Sequence, residues 1–384
     1  MTSLLAPEHR EPTRSYPSYS RPLALRLLGT REFAVFALLV GVFLYATANV
    51  EFFDGPLTLY FLFRDLAPVL VIALPLTLII VTGEIDLSVA SVMGLSAVVM
   101  AMLHFEAGWS IPAAAAAAVV VGTICGAING YLVAYVGLPS LAVTIGTLAL
   151  FRGIAVGLTG TTQYTGFPQE WRDLALDRIS EGSRFPLVLV PIAVLAVLFL
   201  VLLHFTTFGR GVFEIGLNDE AARFTGVDVE RTKFVLFVFA GAVAALAGVY
   251  FALVYNSARG NTAEGTELKV IAAVLLGGVS IFGGRGALPG VIAGALLIGV
   301  LSSALRLESV EDNQINIIIG ALLILSVVSG SVLSALRGRL RLPGSRSAAP
   351  PPGSPGDPGT AAPPGAGSNT STTGTTVADG PSPS

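Results

Sequence analysis

The chain has 384 residues, 53% hydrophobic and only 12% charged, with a formal net charge of −3 and a mean hydropathy of +0.77. A soluble protein carries about 25% charged residues, so two soluble domains are excluded, and so small a net charge gives no electrostatic ground for a nucleic-acid partner. A single cysteine, Cys125, inside an apolar run, excludes an intrachain disulfide and a thiolate metal cluster.

Residues 1–32 form a polar segment with five arginines, Arg10, Arg14, Arg21, Arg26 and Arg31, and no short apolar core with a cleavage site follows the start. The run Phe33–Val50 therefore reads as an uncleaved first span. Uncharged apolar runs predict about ten spans, at 33–50, 66–83, 87–105, 111–136, 139–158, 186–206, 234–256, 268–283, 287–305 and 314–335. Between Glu106 and Arg152 lie 45 residues without a charge. One crossing takes about 20 residues, so this stretch is two spans, broken at Gly137-Leu138-Pro139-Ser140, where Pro removes a donor and Gly loosens the turn. Backbone in lipid has to satisfy its own polar groups, which makes the spans helices. The run from 270 to 284 is short, which suits a tilted span or a broken helix buried in protein.

With the N-terminus in the cytoplasm and ten crossings, cytoplasmic segments receive 14 of the 22 basic residues, and outer loops receive Asp173, Asp177, Glu181, Glu264, Glu308, Glu311 and Asp312. Both termini are then cytoplasmic. The outer loop 159–185 carries Trp171 among mixed charges and suits a short amphipathic piece at the interface. Gly122, Gly126, Gly130, Gly241, Gly248, Gly290 and Gly294 let helices pack closely. Thr82-Gly83 and Gly283-Gly284 form a weak echo on the cytoplasmic side. The tail 343–384 is Pro, Gly, Ser, Thr and Ala and cannot bury enough surface to fold. The expected organisation is an all-α polytopic bundle: a cytoplasmic segment 1–32, a transmembrane domain 33–336, and a disordered cytoplasmic tail.

The longest cytoplasmic loop, 207–233, holds a predicted amphipathic helix. Asn218 suits the N-cap, Asp219 and Glu220 the first turn, Arg223 the end, and Gly226 the residue beyond it. Phe213, Leu217, Ala221 and Phe224 recur at helical spacing. This side either packs on the bundle or docks a cytoplasmic partner. The segment Gly83-Glu84-Ile85-Asp86-Leu87-Ser88 places two carboxylates beside the bilayer, either as a turn in which Asp86 caps the next span or as a polar element lining or gating a pathway. Asn129, Ser140, Thr144 and Thr147 bond either a polar solute or helix backbone. There is no Gly-x-x-x-x-Gly-Lys-Ser/Thr loop, no metal-ligand spacing among His9, His104 and His204, and no nucleophile–base set. The sequence thus offers no catalytic residues, cofactor site or metal site.

Over about residues 60–335 the chain resembles the permease subunits of ATP-binding-cassette importers for monosaccharides, the ribose, xylose and rhamnose group. Gly83-Glu84-Ile85-Asp86-Leu87-Ser88-Val89-Ala90-Ser91 resembles the family's Gly-Gly-Ile-Asp-Leu-Ser-Val-Gly-Ser, with Glu84 and Ala90 replacing glycines; the Glu suits the rhamnose-type branch. Asn129-Gly130, Pro139, Thr144, Gly146-Thr147 and Phe151-Arg152-Gly153 follow. Then come Gly216, Asn218, Ala221-Ala222-Arg223 and Gly226, and last Ile271–Val274, Gly277-Gly278 and Gly283–Gly286. The resemblance implies a monosaccharide permease in the bacterial cytoplasmic membrane. It implies separate ATPase subunits, an extracytoplasmic sugar-binding protein and a second permease, identical or different. It assigns coupling to Gly216, Asn218, Ala221, Ala222, Arg223 and Gly226. The pathway or gate falls to Glu84, Asp86, Ser88, Asn129, Ser140, Thr144 and Thr147. A branched-chain amino acid permease of the same general fold and an ion-driven transporter using Glu84 and Asp86 are the alternatives.

Overall fold

A computed structural model describes residues 31–340. The predicted segment 1–32, apart from the helix start at Arg31, and the tail 343–384 lie outside the described residues. The elements in order are α1 (Arg31–Asn49), α2 (Thr58–Val81), α3 (Val89–Phe105), α4 (Ile111–Ala134), α5 (Ser140–Thr159), β1 (Tyr164–Thr165), α6 (Gln169–Leu176), α7 (Leu189–Phe205), α8 (Thr207–Leu217), α9 (Asp219–Phe224), α10 (Val229–Tyr255), β2 (Ser257–Ala258), α11 (Thr266–Leu276), α12 (Leu288–Leu307) and α13 (Asp312–Leu340). The protein is an all-α polytopic membrane protein. Among the described residues, five helices are long and apolar enough to cross a bilayer alone, and α7 with α8 forms a further apolar pair bent by 67°.

Each of the ten predicted runs contains a helix, but they differ as spans. Helix α2 starts at Thr58, eight residues before the run at 66, and so takes in Arg64 and Asp65. Their charges are paired with each other at 2.8 Å, and Asp65 also accepts from the Tyr255 hydroxyl at 2.9 Å. Helix α10 begins at Val229 rather than 234, because the Asp228 side chain caps it by accepting from the Arg231 amide. In the run 268–283, expected to be a tilted span or a broken buried helix, α11 has only 11 residues. At 1.5 Å per residue it covers about 16 Å, roughly half a bilayer core. The predicted break at 137–140 lies where α4 gives way to α5, with Gly137 at φ +79°. The outer loop holds α6, whose Trp171 packs beside a small apolar cluster, and β1 pairs with β2 on the same side.

Helix α2 is the centre: Leu66–Val81 is buried throughout. It packs against α10, α11, α12 and α7. Glycine brings the surrounding helices into backbone contact. A Cβ on Gly126 would lie 2.3 Å from the Phe237 carbonyl oxygen, one on Gly241 2.2 Å from that of Gly122, and one on Gly294 2.4 Å from that of Ala273. Gly248 meets Met93 of α3 in the same way. Such contacts join helices where lipid offers no hydrophobic drive between them. On α5, by contrast, Gly146, Gly153 and Gly157 face open space.

Gly126→Leu forces α4 and α10 apart, an overpacking cost of about 3 kcal/mol or more, whereas Gly146→Leu meets nothing within this chain. In detergent, size-exclusion profiles should show loss of the monodisperse peak for the first variant and retention of the folded subunit for the second.

Candidate functional site

The loop 207–233 holds two short helices, α8 and α9, and the predicted cap at Asn218 and end at Gly226 bound the second of them. Thr206 is extended (φ −112°, ψ 163°), and its hydroxyl accepts from the Gly209 amide at 3.1 Å, turning the chain out of α7 into α8. Asn218 is also extended (φ −169°, ψ 115°), and its Oδ1 accepts from the Ala221 amide at 2.8 Å to start α9. Gly226 at φ +90° ends that turn, in the left-handed region where glycine carries no Cβ strain. The break at Asn218 resets the helical phase, so Phe213, Leu217, Ala221 and Phe224 do not form one stripe. Leu217 and Phe224 are 71% and 86% exposed, and Ala221 is exposed. Ala222 is the exception within its group: it faces inward, 1% exposed, against Ile215 and Val229. Arg223 is exposed and pairs with Glu230 at 2.6 Å.

Gly216 is where this element meets the bundle. A Cβ there would sit 1.8 Å from the Val81 carbonyl oxygen and 2.4 Å from the Gly284 nitrogen. The Gly284 amide donates to that Val81 oxygen at 2.8 Å, and a Cβ on Gly283 would lie 2.9 Å from both Gly216 O and Gly83 N. The two echoing turns, Thr82-Gly83 and Gly283-Gly284, thus touch each other and Gly216. Phe282, 84% exposed, stands beside them.

The acidic motif and the polar residues of α4 and α5 form a buried knot behind this ledge. Asp86 Oδ1 accepts from the Ser88 amide at 2.8 Å and hydroxyl at 2.7 Å, and Asn129 Nδ2 donates to the Ser88 hydroxyl at 2.7 Å. Ser140 Oγ accepts from the Ile85 amide at 3.1 Å, and Thr144 donates to the Ile85 carbonyl at 3.2 Å and to that of Ser140 at 2.8 Å. Thr147 donates to the Thr144 carbonyl at 3.4 Å. These side chains are consumed by one another and by backbone; Asn129 Oδ1 is buried and unpaired. The Asp86 carboxyl itself is 2% exposed.

Glu84 is separate from the knot. Its Oε1 binds Lys233 Nζ at 2.7 Å, and the same ammonium binds Asp219 Oδ2 at 2.6 Å. Lys233, read from sequence only as part of the charge bias, is 8% exposed. The signal available was its rarity: the chain has two lysines, and this one opens an apolar run.

The described residues form a buried helical bundle with a protruding, partly apolar element, an arrangement that suits a membrane transport subunit. Residues 58–327 match the family described as branched-chain amino acid transport system / permease component. Two Autoinducer 2 import system permease proteins LsrD, from Photorhabdus luminescens and Photorhabdus temperata, are 35% and 36% identical over 308 residues, covering 78% of this chain and 91% of each relative. That of Yersinia pseudotuberculosis serotype O:3 is 36% identical over the same share. No solved structure matches. The chain belongs to this permease family, as a multi-pass component of ATP-binding-cassette importers whose ATPase is a separate subunit.

Proposed function

We propose that this chain is the membrane-spanning subunit of an ATP-binding-cassette importer for a sugar-type solute, receiving it from an extracytoplasmic binding protein and working beside a second permease, identical or different. The names of the relatives support a solute such as autoinducer 2 or a related small polyhydroxylated compound over a branched-chain amino acid. An ion-driven mechanism through Glu84 loses support because that carboxylate is held by Lys233.

The observation that carries the coupling role is the ledge on α8 and α9. Three large apolar side chains, Leu217 and Phe224 on this element and Phe282 on the neighbouring turn 277–287, stand exposed. Exposed aromatic groups of this kind act as interface anchors, and the ATPase is the partner they fit. Asn218 and Gly226 fix the turn, Gly216 seats it on the bundle, and Arg223 and Ala221 lie on its outside. Ala222 serves the turn's own packing, so a bulky residue there tests folding rather than docking.

Affinity purification of the detergent-solubilised complex, with co-purifying chains identified by mass, tests this directly. The wild type should bring down a Walker-loop ATPase and, if the permeases differ, a second permease. Phe224→Asp, or Leu217→Asp, should weaken ATPase capture by about thirtyfold or more, the scale of a lost hot-spot side chain, with the permease still present in the membrane. Uptake of labelled ribose, rhamnose, autoinducer 2 and leucine then assigns the solute class, and transport of leucine alone would defeat the sugar reading.

A further inference from the structure

The ledge contact at Gly216 is steric. Backbone against backbone, it resists compression: pushing α8 inward presses on Val81 and Gly284. It offers little resistance to separation. A transport cycle has two strokes, and the ledge alone serves one of them.

The geometry points to Lys233 as the joint that serves the other, a reading that rests on the proposed importer role. Its ammonium, nearly buried, ties together three parts of the chain: Glu84 in the connection 82–88, Asp219 at the first turn of α9, and its own helix α10. Glu84 and Lys233 are 149 residues apart, so the link crosses the fold. Two carboxylates on one ammonium at 2.6 and 2.7 Å hold against separation in any direction that parts α9 from the connection. Glu84 is two residues from Asp86, whose bonds to Ser88 lead to Asn129 on α4. When α9 is drawn away from the bundle, Asp219 pulls Lys233 and Lys233 pulls Glu84, and the polar knot at the foot of α3 follows. Glu84, where the resembled motif has glycine, is on this reading a positioning residue for coupling rather than a contact for the solute.

The importer is reconstituted in proteoliposomes with its ATPase, partner permease and binding protein, and solute uptake and ATP hydrolysis are measured together. Glu84→Gln cuts the joint on the bundle side and Asp219→Asn on the α9 side. Each should lower solute taken up per ATP about tenfold, within the range of coupling between sites, and the double variant E84Q/D219N should be no worse than either single. Lys233→Arg, which keeps two carboxylates in reach, should retain most of the ratio. A ratio unchanged in either single variant, a double variant whose losses multiply, or losses that track the Tm of the complex would overturn the joint. A wild type with no ATP-dependent uptake would overturn the importer reading itself, a separate result.

Discussion

A peptide group buried without a partner costs several kcal/mol in a membrane, and this chain takes three non-helical stretches into its bundle. The connection 82–88, the descent 256–265 and the turn 277–287 all lack the helix ladder. Beyond its own turns, each takes bonds from other parts of the chain. Ser140 and Thr144 bond both polar groups of Ile85. Arg152 donates to the carbonyls of Gly260 at 3.0 Å and Thr262 at 2.6 Å. The Val81 carbonyl takes the Gly284 amide. One helix, α5, thus pins two of the three stretches, and its place in the fold follows: its polar residues face the irregular backbone and its apolar and glycine face points away from the bundle.

That division explains what could be read from the sequence. The break at 137–140, the Asn218 cap, the terminal Gly226 and the small-residue helix contacts are local chemistry, and the residue types alone carry them. The start of α2 was obscured because Arg64 and Asp65 are charged, and it is their mutual pairing, Tyr255 190 residues away and Arg306 at 3.4 Å from Asp65 that make them tolerable there. The shortening of α11 had a local hint in its brief apolar run. The roles of Ser140, Thr144 and Asn129 had none. A hydroxyl or amide on a span suits a solute and a buried carbonyl equally, and only the fold reveals which one is near.

The segment 207–226 shows the same limit at finer scale. Helical spacing assigns Leu217, Ala221 and Phe224 to one face, but an extended residue at Asn218 rotates everything after it. Ala221 and Ala222 are indistinguishable as residue types, yet one is exposed and the other lies in a three-residue apolar core. A cap residue that starts one helix by ending another is invisible to periodicity.

Glu84 draws these threads together. In an acidic motif near a proposed transport path, an extra carboxylate invites assignment to the solute. Its partner argues otherwise. The Glu84 carboxylate makes a charge-assisted hydrogen bond of 2.7 Å to the nearly buried Lys233 ammonium, so turning to a passing solute means giving that bond up. Lys233 is bonded in turn to Asp219, which belongs to the element proposed to meet a cytoplasmic partner. On the proposed joint, the departure from the motif answers to Lys233, 149 residues along the chain, rather than to the solute.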